Sequence, residues 1–215
     1  MKMNAPKTRI TAHLSGLAFL LALFSTGCMG NQQGLEVQPH DENTFMTIMH
    51  AMMEKMDAVP MTGDPDHDFA MMMRMHHQGA IDMAKENLKS GRNAEMRAMA
   101  EKMIQAQQRE IAEFTAFLST YVTQPQPNGK QFMMEQKESM HRMMMANDLR
   151  MITGNADNDF AQLMIDHHQS AIESSESVIR YGKETMTKQI ARKIMDDQRM
   201  EISALQEWLL KNKKH

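Results

Sequence analysis

Residues 66–81 read DHDFAMMMRMHHQGAI, and residues 157–172 read DNDFAQLMIDHHQSAI. The same residue types return 91 positions later without a gap, and residues 49–118 share 24 identities in 70 positions with residues 140–209. Agreement at a constant offset indicates a tandem duplication of one structural unit. These two stretches decide the fold, because the other periodic segments can be placed relative to them.

Each copy has the period of an α-helix. In the first copy Phe69, Met72, His76, Ala80 and Met83 fall in one stripe at 3.6 residues per turn. The pattern predicts a long helix in each copy that begins at an N-cap aspartate and ends at a glycine. The expected N-caps are Asp66 and Asp157, and the expected ends are Gly91 and Gly182.

Other segments complete each unit. A second amphipathic helix follows, at about 96–118 and 190–208, and a shorter Met-rich segment precedes each pair, at about 43–57 and 131–149. There is no convincing alternating strand pattern. The sequence therefore predicts an all-α fold, a ferritin-like antiparallel four-helix bundle from a tandem duplication with two additional short Met-rich helices.

The N-terminus has the features of an export signal. Basic residues precede an apolar run of about 11 residues, well short of the roughly 20 that span a bilayer. Small residues precede the sole cysteine, Cys28, which indicates a lipoprotein-type signal peptide over 1–27 and a lipid anchor on Cys28 in the outer or cytoplasmic membrane. Ordinary signal cleavage nearby is the alternative.

The remaining boundaries follow from composition and from the repeat. Polar, Gly-containing residues 28–41 suit a flexible tether. Helical repeat 1 is expected over 42–122, a Pro/Gly linker over 123–130 and helical repeat 2 over 131–215. The two repeats are expected to form one bundle.

Charge and cysteine content exclude several classes of protein. The chain has 24 Lys+Arg against 27 Asp+Glu, a net charge of -3, so it has no basic field for a phosphate backbone and nucleic acid is not an expected partner. One cysteine cannot form an intramolecular disulfide or a multi-thiolate zinc or iron–sulfur site. No sequence fingerprint of an organic cofactor is present.

Methionine is the anomaly, with 28 among 215 residues. Thioether and imidazole repeatedly share helix faces, as at Met73 and His77 or Met164 and His168. This donor pair selects Cu(I), and Ag(I) by analogous softness, over zinc, calcium or magnesium. The candidate metal ligands are Met46, Met49, His50, Met53, Met56, Met72, Met73, His76, His77, Met134, Met140, His141, Met144, Met145, Met164, His167 and His168.

We expect the Met/His stripes on the two short segments to be exchangeable, partly exposed sites. Polar residues that face inward or lie near helix starts are expected to be structural or to support the ligands: Asp66, Asp68, Gln107, Glu110, Asp157, Asp159, Gln198 and Glu201. Two interpretations stay open for the centre of the bundle. One is a hydrogen-bonded network that joins His76 to Glu110 and His167 to Glu201, and the other is an interhelical metal centre.

The motifs at 66–70, 76–81, 107–111 and 117–118, which are Asp-x-Asp-Phe-Ala, His-His-Gln-x-Ala-Ile, Gln-x-x-Glu-Ile and aromatic-Leu, resemble the CopM-like family, long known as domain of unknown function 305. The resemblance covers about 45–212. It implies a ferritin-like helical bundle, export to the periplasm or surface and, from the characterised members, copper and silver binding in metal resistance. Ser170, Ser174 and Ser175 depart from the first copy.

The sequence thus predicts a non-enzymatic, extracytoplasmic protein that binds Cu(I), with Ag(I) as a second ion, for sequestration, resistance or handover. A metal exporter or another copper-handling protein is the expected partner. Two alternatives remain open. One is a ferritin-like metal oxidase with an interhelical His/Glu centre, and the other is a structural lipoprotein bundle that binds no metal.

Overall fold

A computed structural model describes residues 37–212. Within that range it contains α-helices and no strand, which confirms the all-α prediction and the helical-bundle architecture. The predicted signal peptide, Cys28 and most of the predicted tether lie outside the described residues. After a short 3-10 helix at His40–Glu42, the helices are α1 (Thr44–Asp57), α2 (Pro65–Ser90), α3 (Ala94–Thr120), α4 (Gly129–Asp148), α5 (Ala156–Tyr181) and α6 (Thr185–Lys211).

The bounds of the long helices repeat the offset seen in the sequence. Helices α2 and α5 both have 26 residues, α3 and α6 both have 27, and each pair begins 91 positions apart. The short helices differ more, with 14 residues in α1 and 20 in α4. Duplication itself remains an interpretation of the sequence.

Helices α2 and α5 lie at the centre. Helix α2 pairs with α3 and α5 pairs with α6 through three-residue connections, and α2 and α5 pack on each other. Helix α1 packs on α2 and α4 packs on α5. Side chains on α2 and α5 therefore meet at the contact between the two halves, and each short helix covers one of the central helices.

The predicted N-caps are wrong by two residues. Asp64 caps α2, accepting hydrogen bonds from the backbone amides of residues 66 and 67, and Asn155 caps α5. In α2 the reason is Pro65, whose fixed φ and missing N–H suit the first helical position and place the cap one residue earlier.

Asp66 and Asp157 instead stabilise the starts of the outer helices of the opposite half. Asp66 accepts hydrogen bonds at 2.7 and 3.2 Å from the backbone amides of residues 183–184, just before α6. Asp157 accepts bonds at 2.8 and 2.9 Å from the amides of residues 92–93, just before α3. Each half therefore supplies a buried carboxylate to the other, which couples the two halves mechanically.

The predicted glycine ends are confirmed, since Gly91 and Gly182 are the C-caps of α2 and α5. Both are in extended backbone, so left-handed geometry is not the reason for glycine. The reason is the close approach of a carboxylate. A Cβ on Gly182 would lie 2.6 Å from the Asp66 carboxylate, and a Cβ on Gly91 would overlap with Asp157. Glycine thus makes room for the carboxylate that crosses from the other half.

Asp68 and Asp159 close the loops that lead into the central helices. Asp68 accepts hydrogen bonds from the amides of residues 62–63, and Asp159 accepts them from the amides of residues 153–154. These four aspartates hold backbone in place and, in this structure, are occupied by N–H and O–H donors.

Described structure falls inside both the predicted tether and the predicted linker. Gln38 donates its amide to the carbonyl of Ile152 at 2.7 Å, and His40 lies 2.8 Å from the carbonyl of Arg150, so the chain is docked on the bundle before residue 41. Helix α4 begins at Gly129, inside the predicted linker of 123–130. Within residues 37–212, none of the helices combines the length and apolar character needed to cross a membrane.

Candidate metal site

Four histidines meet where α2 packs on α5. His76 and His77 come from α2, His167 and His168 come from α5, and all four are fully buried. The rings of His76 and His167 face each other with centroids 3.6 Å apart. One imidazole from each half therefore lies at the centre of the bundle, with its neighbour directed outward.

The outer histidines face carboxylates. His77 Nε2 lies 2.9 Å from Glu110 Oε2 on α3, and His168 Nε2 lies 2.9 Å from Glu201 Oε2 on α6. The expected pairing of these glutamates with His76 and His167 is therefore wrong by one residue. Adjacent helical residues point about 100° apart, so one histidine faces the partner helix of its own half and the other faces the opposite half.

Glu110 is also held by a cation from the other half, because Lys193 Nζ lies 2.8 Å from its Oε1. Burial alone would raise the pKa of Glu110, but the contacts with His77 and Lys193 outweigh it and the pKa is lowered. The carboxylate is thus ionised and its charge is compensated. Sequence reasoning missed Lys193, which occupies the position equivalent to Lys102 in the repeat.

The inner histidines are uncharged at neutral pH. Burial lowers the pKa of His76 and of His167 well below the ordinary value, and repulsion by neighbouring imidazoles adds to the effect. His76 Nε2 lies 2.9 Å from the hydroxyl of Ser170, whereas no side chain is hydrogen-bonded to either ring nitrogen of His167 and only the backbone of His76 is within reach of its ring. A neutral imidazole nitrogen with a free lone pair is a metal ligand.

Two buried amides extend this set of unsatisfied groups. Gln107 and Gln198 project from the partner helices α3 and α6, and neither their oxygen nor their nitrogen atoms have a partner. Most buried polar atoms in proteins are hydrogen-bonded, so a cluster of exceptions indicates a place for an ion or ordered water. Both halves therefore contribute buried polar atoms that have no hydrogen-bond partner and can bind an ion or a water molecule.

Thioethers surround the same region. Met73 and Met164 are buried one turn before His77 and His168, and Met72 is buried as well. Among the described residues, no three His, Cys, Asp or Glu side chains converge to hold a metal ion.

The predicted stripe on α1 is divided by the structure. The expectation of partial exposure is wrong for Met46, Met49 and Met56, which are fully or almost fully buried in the core. His50 is exposed, with Nε2 3.7 Å from a carboxylate oxygen of Asp148, and Met53 is half-buried. Residues at i and i+4 share a helix face, but the edge of the buried surface runs between them.

Helix α4 carries its Met/His stripe on the outside. Met134 and Met145 are 54% and 50% exposed, and His141 between them is exposed too. In the neighbouring stripe Met140 is buried and Met144 is half-buried. Exposed thioethers and an imidazole therefore follow one face of α4, open to solvent.

Comparison with known proteins establishes the family and the fold. The profile of DUF305, described as a domain of unknown function, matches residues 27–118 and 66–209. A crystallised DUF305 fragment from Deinococcus radiodurans is similar at 22% identity and a TM-score of 0.53, over 71% of this chain and 99% of that one.

A second similar crystal structure is that of a "putative secreted protein DUF305" from Streptomyces coelicolor. It has 21% identity and a TM-score of 0.55, over 69% of this chain and 94% of that one. At these identities the likeness shows the fold alone. No curated protein matches the chain.

Proposed function

This chain belongs to the DUF305 family, and we propose that it binds Cu(I), with Ag(I) as a second ion, through thioether and imidazole ligands outside the cytoplasm. The observation that carries the proposal is the neutral, buried His167, whose ring nitrogens have no side-chain hydrogen-bond partner in a methionine-rich core. Soft neutral sulfur together with imidazole selects Cu(I) among biological metals.

The charge of the site favours a monovalent soft ion. Thioethers and neutral imidazoles carry no charge, so they provide no compensation for a divalent cation. The nearest buried carboxylate, Glu110, is already paired with Lys193 and His77. This engagement also counts against the oxidase alternative, which would need free carboxylates at a His/Glu centre.

The location of the protein is part of the proposal. An export signal over 1–27 and a lipid anchor on Cys28 would place the chain in the periplasm or on the cell surface. In such an oxidising compartment exposed methionine is a chemical liability, so Met134 and Met145 need a reason to be there. Capture of Cu(I) supplies one, and the resemblance to CopM-like proteins supports sequestration or handover to an exporter.

The test is a titration of the purified apo-protein with Cu(I) under anaerobic conditions against a competing Cu(I) chelator. We expect more than one tightly bound Cu(I) per chain, and no comparable binding of Zn(II). Binding of no more than one weak equivalent would contradict the proposal and favour a purely structural bundle. Oxygen consumption on addition of Cu(I) or Fe(II) would instead favour the oxidase.

The exposed stripe on α4 allows a more specific test of Cu(I) binding. Replacement of Met134 and Met145 by Leu and of His141 by Asn should lower the Cu(I) stoichiometry while circular dichroism shows unchanged helicity. Leu at Met186 and Met200, which are exposed but have no histidine four or seven residues away, is the matched control. Equal stoichiometry in both variants would mean that the stripe on α4 is not a binding site.

A further inference from the structure

Two small grooves lie at equivalent places on the bundle. The first groove, about 160 Å³, lies between α1 and α2 and is lined by Ile48, Met52, Met75 and Gly79 among others. The second groove, about 130 Å³, lies between α4 and α5. Every lining residue of one groove is matched 91 positions away in the other, so differences between them come from side chains.

The floor of the second groove is closed by a hydroxyl. Ser170 Oγ lies 3.2 Å from Met143 Sδ, 2.9 Å from His76 Nε2 and 2.7 Å from the carbonyl oxygen of His167. The hydroxyl therefore stands between the thioether of the groove and the buried imidazole, and the imidazole nitrogen that faces the groove already has a partner.

The entrance of the second groove is charged. Asp166 is bound by Arg150 through two hydrogen bonds of 2.8 and 2.9 Å, and Glu173 is bound by Arg142 at 2.7 Å. Neither carboxylate is a soft donor, and both are already engaged by guanidinium groups. The second groove therefore contains one buried thioether that could bind a monovalent metal ion, and ion pairs line its entrance.

The first groove lacks the hydroxyl because Gly79 takes the place of Ser170. The side chain of Met52 fills that space so closely that a Cβ on Gly79 would lie 2.9 Å from Met52 Cγ and would overlap with the sulfur. His167 takes the place of His76 on this side, and no hydroxyl or other side chain is hydrogen-bonded to its ring nitrogens, so at least one of them is free to bind a metal ion.

The entrance of the first groove also has a softer metal-ligand atom than the entrance of the second groove. Met75, half-buried, stands where the second groove has Asp166, and Ile48 stands where the second has Ser139. Its polar lining is formed by Lys55, Gln78 and Asp82, and Gln78 donates a hydrogen bond to Asp82 at 2.8 Å. A thioether thus lies at the entrance of the groove and another on its floor.

We propose that Met52 and His167 are ligands of a Cu(I) site at the floor of the first groove, which Met75 lines as the point of entry, and that the second groove takes no metal. The inference rests on the proposed function and assigns one site to it. Methionine has three flexible side-chain torsions, so the Met52 sulfur beside Gly79 can adjust its position to bind a metal ion. The groove exceeds the roughly 30 Å³ share of one water molecule, so an ion can enter.

The test compares Met52→Leu with Met143→Leu in the full chain, by anaerobic Cu(I) titration against a competing chelator. These variants remove equivalent thioethers with nearly conserved volume, so both should fold. We expect Met52→Leu to lose one equivalent of Cu(I), or to weaken the tightest site at least tenfold, and Met143→Leu to match the wild type. Gly79→Ser, which introduces the hydroxyl of the second groove, should weaken the same site.

The outcomes separate this inference from the proposed function. A wild-type chain that binds no Cu(I) overturns both. A wild-type chain that binds Cu(I) while Met52→Leu binds equally well, or while Met143→Leu loses as much as Met52→Leu, overturns only the assignment to the first groove. A ¹⁵N-imidazole NMR shift of His167 on addition of Cu(I), absent in Met52→Leu, would support it directly.

Discussion

The buried face of α1 and the buried face of α4 occupy equivalent places on α2 and α5 but differ in chemistry. Helix α1 buries Phe45 and four methionines, whereas α4 mixes apolar residues with Gln136, Ser139 and Asn147. The central helices differ in the same way, because Met83 and Ala84 of α2 correspond to Ser174 and Ser175 of α5. The α1 methionines are Met46, Met49, Met52 and Met56.

The difference shows that packing does not require a thioether at every one of these positions. Met49 and Met52 keep a methionine in the second half, as Met140 and Met143, whereas Asn147 and Ser174 take the places of Met56 and Met83. Ser174 donates a hydrogen bond to Gln136, and Ser139 donates one to Glu173 at 2.9 Å. We propose that binding of a soft metal is a further reason for the larger number of buried methionines in α1.

The largest loss of unfolding free energy is expected when a residue of the first half is replaced by its counterpart in the second half. Met83→Ser should cost about 4 kcal/mol of unfolding free energy, because it opens a cavity and buries a hydroxyl without a partner. The residue equivalent to Gln136 in the first half is Phe45, which accepts no hydrogen bond. Ser174→Ala, which removes one hydrogen bond, should cost only about 1 kcal/mol.

Urea unfolding followed by circular dichroism measures both variants, and Met83→Leu is the control for volume. If Met83→Ser proves no more costly than Ser174→Ala, the two halves do not differ in the way described.

A similar loss in both halves is expected from the carboxylates that cross between them. Asp66→Ala and Asp157→Ala each leave two backbone amides near a helix start without acceptors. Each substitution should lower the unfolding free energy by about 3 kcal/mol, since charged hydrogen bonds are worth about 1.5–3 kcal/mol each. A loss below about 1 kcal/mol in either variant, by urea unfolding, would refute the capping role.

A more gradual loss is expected on acidification of the apo-protein. The folded pKa of His76 and His167 is lowered by burial, so only the unfolded chain takes up these protons as the pH falls below about 6.5. Stability should thus be greatest above that pH and decline below it. Glu110, whose folded pKa is also lowered, adds a further loss below its ordinary value of 4.5.

Chemical unfolding at a series of pH values between 7.5 and 5, with a chelator present, measures this decline. His167→Leu should flatten the profile, and His50→Asn, at an exposed position, should leave it unchanged. A profile that is flat in the wild type would show that the inner histidines are not buried as described.

The smallest effect is expected on the surface of α1 and α4. His50 and Asp148 are both more than half exposed and 3.7 Å apart, so their interaction is screened by water. His50→Asn should change the unfolding free energy by no more than about 0.5 kcal/mol. A loss above about 1 kcal/mol by urea unfolding would mean that the exposed pair fastens α1 to α4.

The offset of 91 residues predicted the long helices and their glycine ends, because helical period and caps are local properties. It did not predict the roles of Asp66 and Asp157. A carboxylate near a helix start looks like the cap of its own helix, and only the packed structure shows that the backbone of the other half comes closer. The same limit applies to Glu110, whose partner on α2 depends on how α3 is rotated.

Burial of the short helices was harder to predict than their existence. The spacing of Met46, His50 and Met53 indicates one face, but an isolated stripe does not say how deeply that face is buried. Met52 was missed as a candidate ligand because it falls outside both stripes predicted on α1, which are Met46, His50 and Met53 and Met49, Met53 and Met56. The signal was present in the comparison of the copies, since Gly79 against Ser170 is the difference that leaves His167 without a hydroxyl.

The most direct measurement is a crystal structure of the Cu(I)-loaded protein with anomalous scattering at the copper edge. The account predicts a copper peak between Met52 Sδ and the imidazole of His167, none at Met143 in the second groove, and further density along Met134, His141 and Met145. A loaded crystal in which copper lies only at carboxylates, or in which no peak has a methionine sulfur as ligand, would contradict it.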